Sequence, residues 1–164
     1  MDLEELRKAL EHPLFDSAIV KHGFAPFFRD YDLIAQIENY QFHYRFTHCT
    51  SATVTTAVRD DVWPRSWDDL FTDYPAWERE GCPEGYVWGV CWSLAYPGAE
   101  YVENSTAARN WSERLGKPMH EVNILTNGYN INLIFHDLIV RELKEGDKEW
   151  VPGILDQYVF PIIR

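Results

Sequence analysis

The chain has 164 residues, 46% hydrophobic and 25% charged, which is the size and make-up of one globular domain and excludes a disordered or fibrous chain. Its formal net charge is −11, with a pI near 4.9. Nucleic acid and anionic membrane are therefore not expected partners, since both are bound by Lys and Arg that displace counterions; solubility and a basic protein partner both suit the charge.

Leu3, Leu6 and Leu10 recur at helical spacing, so a helix is predicted over Leu3 to His12, stopped by Pro13. A second short helix is predicted over Leu14 to Lys21, with Asp16 near its start and Gly23 as its stop. The period then changes. Asp32 to Ile37 reads as a strand, Asn39-Tyr40 as a hairpin turn, and Tyr40 to Cys49 as a half-buried strand. In that strand Phe42, Tyr44, Phe46 and His48 face one way and His43, Arg45 and Thr47 the other. Thr53 to Val58 is rich in β-branched residues and extends or pairs with this sheet.

Arg59 to Gly85 breaks the pattern with Pro64, Pro75 and Pro83, three tryptophans and many carboxylates. Ser66-Trp67-Asp68-Asp69 resembles a capped helix start, and Asp73 to Glu78 a second one with Pro75 near its first position. Tyr86 to Leu94 returns to strand, Tyr96 to Ala99 is a turn, and Glu100 to Val102 a short extended piece. Asn104 or Ser105 then caps a helix through Leu115, ended by Gly116 with Pro118 beyond. Glu121 to Asn127, Tyr129 to Phe135 and Leu138 to Leu143 read as strands divided at Asn127-Gly128, a hairpin signal or else a bulge in one long strand, and at His136-Asp137. The regular βαβ alternation of a parallel sheet is missing. The expected architecture is α+β: one domain over residues 1–164, with an antiparallel sheet of about six strands and a few helices on one face.

No apolar run approaches the roughly 20 residues of a membrane span. The acidic Met1-Asp2-Leu3-Glu4-Glu5 start does not read as a signal peptide, and the cytoplasm is the expected compartment. Cys49, Cys82 and Cys91 are odd in number and without CxxC spacing, which fits reduced thiols; Cys49 and Cys91 read as small hydrophobes.

The chemistry-bearing residues are scattered. None of the six histidines lies in an HExxH or zinc-finger pattern. His48-Cys49 and His136-Asp137 are placed to meet across a sheet, which makes His48 and His136 the candidate metal ligands; a Cys49-His-Asp nucleophilic site is a further option. The acidic cluster Asp60, Asp61, Asp68, Asp69, Asp73, Glu78, Glu80 and Glu84 suits helix capping and a solvated face, or a cation, though without EF-hand spacing. Trp67 and Trp77 beside these carboxylates suit a docking surface for a basic partner, or a roof over the sheet.

The segments Arg29-Asp30-Tyr31-Asp32, Tyr44 to Cys49, Thr55 to Asp61, Ser66 to Tyr74 and Phe135 to Leu138 resemble the YxiG-like domain family of bacterial proteins, over about His12 to Leu143. The resemblance carries no catalytic residues across. It implies an immunity-type role, in which a small acidic cytosolic protein binds a toxin domain. The leading expectation is thus a non-enzymatic protein-binding module without cofactor, contacting a basic partner through Asp60, Asp61, Trp67, Asp68, Asp69, Asp73 and Trp77. The rivals are a metal-assisted hydrolase using His48, His136 or the Asp60–Asp61 pair, and a small-ligand binder with an aromatic-lined cavity.

Overall fold

A computed structural model describes residues 3–11, 14–26, 29–56, 74–79, 81, 93–95, 98–126 and 128–152. Helix α1 covers Leu3–Glu11. Strands β1 (Ala18–Phe24), β2 (Tyr31–Ile37), β3 (Tyr40–Thr47) and β4 (Ser51–Thr56) follow, then α2 (Tyr74–Arg79), β5 (Ser93–Leu94) and β6 (Gly98–Tyr101). Helix α3 (Thr106–Leu115) precedes β7 (His120–Leu125), β8 (Tyr129–Phe135) and β9 (Asp137–Leu143).

The architecture is α+β and antiparallel, but the strands form two sheets rather than one of about six. The first has the order β5-β1-β2-β3-β9 and the second β4-β8-β7-β6. The reason lies in the apolar rows. Leu33, Tyr44 and Phe46 line one face of the first sheet and Ile124, Ile131, Leu133 and Phe135 one face of the second, all fully buried in a shared core. Two such rows bury each other when layered and could not within one open sheet. Phe46 and Phe135 meet edge-to-face across the interface, ring centroids 4.9 Å apart. Nor do the helices share one face: α1 packs against β6 and β9, one strand of each sheet, while α3 lies against β7 and β8.

The predicted helix over Leu14 to Lys21 is instead a turn followed by β1. Asp16 takes a left-handed φ of 57°, and the Ser17 hydroxyl donates to the Leu14 carbonyl at 2.6 Å. Backbone bonds from Asp16 N to Ala95 O and from Ala95 N to Ser17 O, both 2.8 Å, then draw the segment toward β5. Gly23, read as a helix stop, lies inside β1 opposite Asp32. Helix α3 follows its local signals: the Ser105 side chain accepts from Ala108 N, and Gly116 closes the helix at φ 63°, a conformation that favours glycine. Of the expected strand over Tyr86 to Leu94, the described part is Ser93–Leu94; the rest lies outside the described residues, as does the helix start at Ser66.

The outward side of β3 is not the solvated face that its alternation implies. His43 is only 3% exposed. Its Nε2–H donates to Asp32 Oδ1 at 2.8 Å, and Arg45 grips the same carboxylate through Nε at 2.8 Å and Nη2 at 3.0 Å. Burial pushes the Asp32 carboxyl up, but hydrogen bonds from Arg45 and His43 outweigh it, and the net effect holds Asp32 below the ordinary carboxylate range. The segment after β9 crosses this face. The Gln41 amide donates to the Val151 carbonyl at 2.8 Å and accepts from Val151 N–H at 3.0 Å, while Arg141 pairs with Asp147 and Glu149.

Phe46→Ala is expected to cost about 3–5 kcal/mol in urea denaturation, the usual range for emptying a buried aromatic site. By contrast the hydroxyl of Tyr44 is buried with no hydrogen-bond partner among the described residues, so Tyr44→Phe should leave the urea midpoint unchanged or raise it. Asp32→Asn should lower stability at pH 7 by about 1–3 kcal/mol. Because the folded carboxyl is depressed, its contribution is present above its unfolded value of about 4 and fades as pH falls through the folded one. The variant should therefore show a shallower loss of stability between pH 5 and 2, read from urea midpoints across that range.

Candidate functional site

Two places on the sandwich gather functional side chains, and both arise where the sheets meet. The first is a corner. The chain passes from the first sheet to the second through His48-Cys49-Thr50 and returns through His136. Backbone bonds from His136 N to Thr47 O, 2.9 Å, and from Thr50 N to Ile134 O, 2.8 Å, hold the two crossings side by side. His48 adopts φ 46°, and its backbone N–H is taken by Asp30 Oδ1 at 3.0 Å. The imidazoles of His48 and His136 consequently lie 5.6 Å apart, centroid to centroid, at 75°. The pairing read from the sequence is thus present. His136 Nδ1–H donates to the Pro118 carbonyl at 2.7 Å, and His120 hydrogen-bonds Tyr101 at 3.2 Å.

Cys49 belongs to this corner but is not poised as a nucleophile. It is buried in the core, its thiol donates to the Ser51 carbonyl at 3.1 Å, and burial pushes its pKa up to about 11. A thiol of that kind carries almost no thiolate at neutral pH. Among the described residues no group of three or more His, Cys, Asp and Glu side chains is arranged to hold a metal ion.

The second place is an aromatic mouth between β1 and the strands β8 and β4. His22 Nδ1 and the Tyr31 hydroxyl are hydrogen-bonded at 2.6 Å. The His22 ring also lies 5.1 Å from that of Tyr129, which pairs in turn with Thr56 of β4. Phe24 stacks edge-on against Tyr31 at 5.3 Å yet is 55% exposed, and Val54 of β4 is 50% exposed. Burial lowers the His22 pKa and raises that of Tyr31 to about 12, with Cys49 and Tyr129 adding to the rise. At pH 7 the pair is therefore uncharged, an aromatic surface able to hydrogen-bond without an ion to desolvate. Among the described residues β4 pairs only with β8, and Thr53 to Thr56 are all exposed.

The sequence-predicted contact residues Asp60, Asp61, Trp67, Asp68, Asp69 and Asp73 lie outside the described residues. Trp77 falls in α2, a helix that begins as Pro75 suggests. The mouth itself was not foreseen. By sequence His22 falls between the helix expected to end at Lys21 and its stop at Gly23, and only the pairing of β1 with β2 and the layering of the sheets bring it to Tyr31 and Tyr129.

A family profile for YxiG-like proteins matches residues 2–152, nearly the whole chain. The chain belongs to the YxiG-like family. A comparison with curated proteins finds no match. In this YxiG-like chain the two-sheet frame has its corner closed by paired crossings, and among the described residues β4, beside the mouth, pairs only with β8. Among the described residues no helix is long and apolar enough to cross a membrane.

The mouth has a pH signature. His22 is held below its unfolded value of about 6.5, so the unfolded chain binds the extra proton first. Stability should be complete above that value and fall as pH drops from about 6.5 toward the folded pKa. His22→Gln should flatten this part of the curve, measured as urea midpoints between pH 7.5 and 5.

Proposed function

We propose that this YxiG-like chain is a protein-binding module that masks a basic partner, an immunity-type role being one form of it. The observation that carries the reading is the mouth: Phe24 and Val54, each about half exposed, flank a neutral His22–Tyr31–Tyr129 cluster beside β4, which among the described residues pairs only with β8. Exposed aromatics of this kind serve as interface anchors, and a strand edge can accept an extended segment through backbone hydrogen bonds. The net charge of −11 favours a cationic partner and speeds its arrival. The acidic, Trp-rich stretch from Asp60 to Glu84 begins four residues after β4 ends, so its carboxylates are the proposed source of charge complementarity.

The test begins with the product of the gene adjacent to this one, co-expressed and co-purified, with affinity measured at two salt concentrations. Association should slow as salt rises. Phe24→Ala and Val54→Lys should each weaken binding by roughly tenfold or more while leaving the thermal midpoint nearly unchanged, because both side chains already face solvent. Asp60→Asn with Asp61→Asn should act mainly on the association rate. Wild-type affinity in both the Phe24 and Val54 variants would refute the mouth as the docking surface.

A further inference from the structure

We infer that the corner is a binding site for a late first-row divalent cation of the Cu²⁺, Ni²⁺ or Zn²⁺ class, held by the imidazoles of His48 and His136. The geometry supplies this in four parts. The rings already stand 5.6 Å apart, centroid to centroid, close enough to converge on one ion with metal–nitrogen bonds of about 2.0–2.1 Å. The tautomer of His136 is set, since Nδ1–H is committed to the Pro118 carbonyl at 2.7 Å. That leaves the Nε2 lone pair as the donor, the same outer hydrogen bond that orients metal-binding histidines generally. The backbones carrying the two rings are tied together by the His136 N to Thr47 O bond, and His48 is fixed in its left-handed conformation by Asp30. The backbone positions of both ligands are thus set before the ion binds, and the exposed His48 ring is the part left to turn onto it. Finally, the site is reachable: His48 is exposed and His136 half-buried.

The donor set decides the ion. Two imidazole nitrogens with solvent in the other positions suit the nitrogen-preferring cations, in the order Cu²⁺ above Ni²⁺ and Zn²⁺, and offer nothing to Mg²⁺ or Ca²⁺, which need oxygen. No third protein ligand stands in place among the described residues, so the bound ion keeps open positions. It would be exchangeable rather than structural, and able to take a further ligand from a docked molecule.

The experiment uses the full chain. Titration with Ni²⁺ or Zn²⁺ by calorimetry is expected to give one saturable site, with no response to Mg²⁺. In NMR, substoichiometric Cu²⁺ should broaden the ring resonances of His48 and His136 together and before those of His22 and His43. His48→Asn, which tolerates the left-handed backbone, and His136→Gln should each lower the affinity roughly tenfold or more, while His22→Gln leaves it unchanged. The Cu²⁺ measurement on the unaltered chain stands even where a variant folds poorly. Unsaturable broadening spread over all histidines, or wild-type affinity in His48→Asn, would overturn the site.

Discussion

The structure rests on a double crossing. Two strands of the first sheet, β3 and β9, continue into two strands of the second, β4 and β8, at one place. Two backbone hydrogen bonds, His136 to Thr47 and Thr50 to Ile134, keep the ladder intact through the bend. Because the ribbon passes through both layers, the sheets cannot slide or separate without breaking it, and the apolar rows on their inner faces are forced into register. The edge-to-face contact of Phe46 and Phe135 lies just inside this bend and locks it from the core side.

Both proposed sites are by-products of that geometry. A bend in a β-ribbon needs a residue off the usual strand conformation, and His48 supplies it at φ 46°; the price in strain brings one imidazole beside another. Elsewhere, among the described residues, β4 pairs only with β8, and β1 sets His22 beside Tyr129 of the second sheet and Phe24 beside Tyr31. A closed corner thus produces polar, preorganised chemistry, and an open mouth produces apolar, neutral surface. The two differ in what they can recognise for reasons visible in the topology.

Elements with local signals were legible in the sequence. The caps of α3 at Ser105 and Gly116, the leucine spacing of α1 and the alternation of β3 each depend on neighbours a few residues away. What was not legible depends on distant partners. Leu14 and Ile19 lie in a segment that reads as a helix, yet both face a core that exists only once β1 has paired with β2. The division into two sheets follows from which strands exchange hydrogen bonds, and periodicity is silent on that. His43 looks solvent-facing by alternation, but a segment more than a hundred residues downstream is clamped across its face through Gln41. His48 with His136 could be guessed as neighbours across a sheet, although His48 reads as part of a strand and in the fold lies just beyond it, at φ 46°. His22 could not, since its own segment suggested the wrong element.

The neighbour of β3 in the first sheet arrives late: Thr47 and Asp137 are 90 residues apart in the chain. At a synthesis rate of roughly 5–20 residues per second, the ribosome needs about 5 to 20 s to deliver it. Throughout that delay a nascent β3 presents one unpaired flank. The Asp32–Arg45 pair lies on the outer surface of that growing hairpin, and charge placed there discourages the half-made sheet from joining another newly made chain. An interaction that steadies the finished molecule therefore also protects it during its manufacture.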